Sequence, residues 1–100
     1  MKPGNMEIED ALEKLPDKVA DQLLLWRTAT LNREKTEALL FLKFKASGND
    51  RTATEIKAMV HSDESRYAAV LEELKAESNY ERLYERLMSF KKRADLRTAY

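Results

Sequence analysis

Residues 62–97 read SDESRYAAVLEELKAESNYERLYERLMSFKKRADLR, a run with no glycine or proline and rich in Glu, Arg, Lys, Ala and Leu. These side chains lose little rotamer freedom in a helix, so the stretch reads as one long α-helix. Ser62 can cap its first turn, with Asp63 and Glu64 where negative charge meets the positive end of the dipole; Lys91, Lys92, Arg93 and Arg97 suit the other end. At about 100° per residue, Ala69, Ala76, Tyr80, Leu83, Leu87, Phe90 and Ala94 fall in one narrow arc. Tyr67, Val70, Leu71 and Leu74 make a second stripe on roughly the opposite side, and it fades before Tyr84 except for Met88. The helix therefore needs one neighbour along its length and another across its start.

Upstream, Ser47-Gly48-Asn49-Asp50 ends a preceding element, with Gly48 free to take a left-handed conformation. Thr52-Ala53-Thr54-Glu55 matches a capping box. It predicts a short helix to about Val60, packing through Ala53, Ile56, Met59 and Val60 and covering the second stripe of the long helix. A break at His61-Ser62 is expected, and one continuous helix from Ala53 is the alternative.

The other long helix is expected from Pro16 to about Ala46, because proline disfavours helical geometry in the residue before it yet suits a first turn. It too carries two apolar sides: Ala20, Leu24, Leu31, Ala38 and Leu42 on one, Val19, Leu23, Trp26, Phe41 and Phe44 on the other. Between them Asn32 to Glu37 is almost wholly polar, unlike the core of a long two-stranded zipper. Residues 1–5 read as a disordered start, and Asn5 could cap a short helix through Leu15. At about 1.5 Å per residue the two long helices span about 45 and about 52 Å, and a short connection makes them antiparallel. The expected fold is thus all-α: an acidic N-terminal segment (1–15), flexible or a short helix, then an antiparallel helical hairpin (16–100) with a short connecting helix. Coiled-coil-like pairing would assemble it into a dimeric bundle.

The composition bounds the function. One hundred residues, 43% apolar and 36% charged, make one small domain with a thin core, so an oligomer or partner is expected. There is no cysteine, which removes disulfides and thiolate metal sites and fits a cytoplasmic home. No apolar run approaches the roughly 20 residues of a membrane span. Eighteen Lys and Arg balance eighteen Asp and Glu, yet residues 7–21 hold six acids against two bases and residues 91–100 four bases against Asp95. Antiparallel packing would set the acidic beginning beside the basic end.

Little in the sequence points to catalysis. His61 is the only histidine, its spacing to Glu64 reverses the carboxylate–histidine motif of dimetal bundles, and Gly4 and Gly48 cannot form a phosphate-cradling loop. A non-enzymatic protein without cofactor or metal is expected. Two surfaces stand out. Leu24, Trp26, Leu31, Leu42, Phe44, Tyr80, Leu83, Leu87 and Phe90 are candidate interface residues, since core and oligomer interface merge in so thin a chain. Lys91, Lys92, Arg93 and Arg97 are candidate nucleic-acid contacts, although interspersed acids make a solvated helix end the simpler reading.

From Arg51 onward, the short helix, then His61-Ser62-Asp63-Glu64-Ser65-Arg66-Tyr67, Ala69 to Leu74, Ala76, Tyr80-Glu81-Arg82-Leu83 and the Arg-rich ending at Tyr100 resemble a group of small all-helical phage and prophage proteins. These are often encoded among replication and single-strand-annealing recombination genes. The resemblance implies an accessory protein of phage DNA metabolism, in the host cytoplasm, and implies no catalytic residues. The leading expectation is a protein–protein interaction module that forms a homo-oligomer, with a dimer favoured, and docks onto a protein partner. A nucleic-acid-binding accessory and a small helical regulator of a host protein are the alternatives.

Overall fold

The computed structural model describes residues 3–48 and 50–98, with side chains from Glu7 to Leu96. Among these residues the chain forms three helices and no strand: α1 (Pro3–Ser47), α2 (Ala53–Ser62) and α3 (Glu64–Thr98). The two long helices lie side by side and antiparallel, so that Leu15 and Phe90 line one cleft, Trp26 meets Tyr80 and Arg33 meets Glu73. The expected all-α hairpin is therefore what the chain forms. It is a rod of 72 × 18 × 15 Å with a radius of gyration of 21.3 Å, against about 13 Å for a compact domain of this size.

The first helix is longer than the sequence rules predict. Pro16 lies inside α1 and does not begin it. Its ring nitrogen cannot donate to the Leu12 carbonyl, which costs about 3 kcal/mol in a helix interior. Packing offsets that cost: Leu15 is 6% exposed, and Ile8, Ala11, Leu12 and Val19 are half-buried. The expected boundary between 1–15 and 16–100 is thus no break, and the acidic segment belongs to one arm of the hairpin. Helical backbone already begins at Pro3, a favoured first position for proline, so Asn5 lies inside the first turn and is no cap.

The turn between α1 and α2 also differs from expectation. Gly48 does not take a left-handed conformation. What its missing side chain provides is room: a Cβ there would lie 2.9 Å from Arg51 Nε. Arg51 reaches past it to Ser47 Oγ at 3.4 Å. Thr52 caps α2 as expected, its hydroxyl accepting the Glu55 N–H at 3.2 Å. The break before α3 is real, but its cap is Asp63 and not Ser62. Asp63 is extended, its carboxylate accepts the Ser65 N–H at 2.8 Å, and Ser62 closes α2 by donating to the Ala58 carbonyl.

The short helix packs on the other arm. Ile56 and Val60, one turn apart, are 3% and 6% exposed and close on Leu40, with Phe41 and Phe44 against them. All three buried residues of this cluster belong to α1 and α2. The stripe that α2 was expected to cover stays largely open: Tyr67 is 65%, Leu74 51% and Leu71 38% exposed, and only Val70 is half-buried. A ten-residue helix with a single buried edge has only one face to give, and here it gives it to α1.

Candidate interaction surface

Which residues face the opposing helix follows from the burial pattern. On α1 the buried and half-buried positions include Leu12, Leu15, Val19, Leu23, Trp26, Thr30, Arg33, Glu37, Leu40 and Phe44, at the three- and four-residue spacing of one helix face, flanked by half-buried Ala11, Gln22, Ala29, Thr36 and Phe41. Of the two apolar sides read from the sequence, the aromatic one lies inside. Trp26 stacks obliquely on Tyr80, with centroids 5.4 Å apart, and Tyr80 on Tyr84 at 5.9 Å. Leu87 is 5% exposed, and Leu83 and Phe90 are half-buried. Among the nine candidate interface residues, Trp26, Phe44, Tyr80, Leu83, Leu87 and Phe90 therefore pack within the chain.

The other three lie outside. Leu24, Leu31 and Leu42 are 65%, 65% and 61% exposed, and Ala20 and Ala38 beside them are exposed as well. At about 100° per residue the five share an arc of about 40°, on the side of α1 turned away from α3. The open stripe of α3, Tyr67, Leu71 and Leu74, likewise points away from α1. The rod thus carries an apolar stripe along each outer edge. Leu25 and Leu39, each 55% exposed, were not singled out from the sequence. They fall between the two stripes of α1, where periodicity assigns no role.

The polar interval of α1 turns out to face inward. Arg33 Nε donates to Glu73 Oε2 at 2.8 Å, its Nη1 to Glu37 Oε1 at 2.8 Å, and Arg66 Nε reaches the same Glu37 oxygen at 3.4 Å. These side chains are 16–30% exposed. They form one charged layer of alternating sign that ties α1 to α3. The hydrogen bond from Arg33, with further help from Arg66, holds the Glu37 carboxyl below the usual carboxylate range against its partial desolvation. The hydrogen bonds from Arg33 to Glu37 and Glu73 raise the guanidinium pKa in turn.

The basic end does not make one face. Lys91, Lys92 and Arg93 are exposed, but successive residues step about 100° around the helix and so point apart. Arg93 and Arg86 both lie over the Phe90 ring, at 5.4 and 5.9 Å from its centroid. The side chain of Arg97 lies outside the described residues. Glu7 and Asp10 of α1 line a cleft with Lys14, Lys18, Arg86 and Phe90, so the acid-rich start of α1 lies against α3 at Arg86, and no described side chain of the basic end, 91–100, lines that cleft. His61 is exposed in the last turn of α2. Among the described residues no group of three His, Asp or Glu side chains is placed to hold a metal ion, and no helix is long and apolar enough to cross a membrane. No protein-family model matches this chain, and no curated protein or solved structure does either.

Proposed function

We propose that this chain is a non-enzymatic protein–protein interaction module, a two-helix rod that self-associates and docks onto a protein partner through apolar stripes on its outer edges. The observation that carries this reading is the alignment of Leu24, Leu31 and Leu42 along one outer edge, each more than 60% exposed. Single exposed leucines are ordinary on any protein surface. Three on one helix face, with alanines completing the row, make a contiguous patch of the kind that marks interaction sites. The non-enzymatic part rests on the sequence, which has one histidine, no cysteine and two glycines. The resemblance of residues 51–100 to small phage proteins supports a partner from DNA replication or recombination and a cytoplasmic setting.

Size-exclusion chromatography with light scattering tests the self-association. A mass above that of one chain is expected, falling to one chain when the stripe that carries the contact is charged, by Glu either at Leu24 and Leu31 or at Leu71 and Leu74. A folded chain that stays monomeric at millimolar concentration refutes it. For docking, affinity purification from the native host with wild-type and Leu71→Glu/Leu74→Glu baits should recover a protein with the first and lose it with the second.

A further inference from the structure

We infer that the outer stripe of α1 is the contact for a second copy of this chain, paired antiparallel about a two-fold axis through Leu31. This rests on the self-association proposed above and goes further by naming the face, its orientation and its register.

The argument begins with spacing. Ala20, Leu24, Leu31, Ala38 and Leu42 are separated by four, seven, seven and four residues, a pattern that reads the same in both directions from Leu31. When two such helices run antiparallel with Leu31 facing Leu31, Leu24 of one copy falls opposite Ala38 of the other, and Ala20 opposite Leu42. Every layer then sets a large side chain against a small one, except the central layer on the axis. That is how facing rows interdigitate without voids or overlap. The parallel alternative sets like against like, leaving Ala20 and Ala38 facing their own copies with nothing to fill the space. A two-fold contact requires one self-complementary patch, and this row is one.

Charge is complementary in this arrangement. Arg27 and Glu34 are both exposed on one flank of the stripe, and among the described residues neither makes an ion pair within the chain. In the antiparallel pair that flank meets its own counterpart. Arg27 of each copy comes level with Glu34 of the other to within one residue, about 1.5 Å along the axis, giving two symmetric ion pairs. On the opposite flank Lys35 comes level with Thr28, which is uncharged and exposed. In the parallel pair each flank would meet the other, with Glu34 level with Lys35 and Arg27 with Thr28 to within one residue. The choice of orientation thus rests on the alternation of large and small side chains, and the ion pairs distinguish the two arrangements by which residues they join. The row from Ala20 to Leu42 lies beyond Pro16, on the uninterrupted part of α1, and is about 33 Å long.

The absence of cysteine makes the test clean. Under mild oxidation, Leu31→Cys should give a disulfide-linked dimer, because position 31 lies on the axis. Leu24→Cys alone should not, since its two copies would be about 21 Å apart along the helices, whereas Leu24→Cys with Ala38→Cys should. Arg27→Glu and Glu34→Arg are each expected to weaken the dimer about tenfold, and together to restore it to within about threefold of wild type. All the substituted side chains are exposed, and helicity by circular dichroism confirms the fold in each case. Efficient cross-linking of Leu24→Cys alone, or no cross-linking of Leu31→Cys in a chain that still dimerises, overturns the inference. So does a dimer lost with Leu71→Glu/Leu74→Glu but kept with Leu24→Glu/Leu31→Glu, which leaves self-association standing and moves it to α3. A chain that never exceeds monomer mass overturns both.

Discussion

Replacing Glu73 by Leu removes the carboxylate that joins α3 to the centre of α1, and the cost can be bracketed from the geometry. Exposed ion pairs contribute about 0–1 kcal/mol, and breaking a fully buried one costs about 3–5 kcal/mol. The Arg33–Glu73 pair lies between these limits, its two side chains being 24% and 16% exposed and its contact 2.8 Å. Arg33 would keep its second hydrogen bond, to Glu37, so it is never wholly unpaired. A loss of about 2 kcal/mol follows, the value for a charged hydrogen bond, or a fall in Tm of about 8–16 °C for a domain this small. Urea unfolding followed by circular dichroism measures it, at fixed protein concentration because association shifts apparent stability. Glu72→Ala is the control, since its 3.5 Å contact with Lys75 joins side chains 70% and 71% exposed, and it should stay within about 0.5 kcal/mol of wild type. Replacing Arg33 and Glu73 together by Leu should recover at least half the loss, because two apolar residues can fill the layer that one uncompensated charge disturbs. A Glu73→Leu chain as stable as the Glu72→Ala control would refute the reasoning and reduce the charged layer to surface decoration.

Other outcomes follow from the same structure. Pro16→Ala supplies the missing donor in the interior of α1 and should stabilise the chain by up to about 3 kcal/mol, seen as a higher urea midpoint; a lower one would mean that a kink there is needed for packing. Ile56→Ala empties the best-buried site, 3% exposed, and should cost about 2 kcal/mol, the low end for such truncations in so thin a core; hydrogen exchange should show α2 loosening before the hairpin opens. Glu37 has a depressed folded-state pKa, so its contribution is fully present above the ordinary carboxylate value of about 4.3 and is lost as pH falls through the lower folded value. Stability should therefore drop between about pH 5 and pH 3, and Glu37→Gln, measured in the same titration, should flatten that drop. Single-stranded oligonucleotide at low salt, followed by fluorescence anisotropy, should bind no differently when Lys91, Lys92, Arg93 and Arg97 are all replaced by Ala; a tenfold loss would transfer the function to nucleic-acid binding.

The hairpin could be read in the sequence because both long helices carry their signal redundantly, in composition and in periodicity. Thr52 was legible for the same reason, since a cap is a local bond. What was not legible depends on tertiary choice. The rule that ends a helix before proline holds when nothing else rewards continuation. Here Leu12, Leu15 and Val19 lie along the inner face on both sides of Pro16, and their burial outweighs the lost bond. Two edges competed for Ile56 and Val60, and periodicity cannot say which of two neighbours a short helix will meet. The polar interval at Asn32–Glu37 is plain in the sequence, but its partner lies some forty residues away on the other arm. Setting the helices antiparallel with Trp26 beside Tyr80 brings Arg33 level with Glu73 and Glu37 near Arg66, a complementarity visible by sliding one sequence along the other.

Two helices side by side make a body only 18 × 15 Å in section, about one helix diameter thick in one direction. Away from α2 no third layer exists in such a body, so there each long helix has a single inward face and whatever it carries opposite that face meets solvent. The aromatic side of α1 goes inward because Trp26 and Phe44 remove more apolar area from water than leucine and alanine can. The leucine side is left out by elimination, not by weakness of its pattern. Burying the charged layer inside strengthens that outcome: with Arg33 and Glu37 facing α3, α1 cannot rotate to hide Leu24, Leu31 and Leu42 without breaking the two ion pairs that join it to α3, Arg33–Glu73 and Glu37–Arg66. The layer that fixes the hairpin's register is thus also what keeps the outer stripe available, and weakening it by Glu73→Leu should loosen self-association along with the fold.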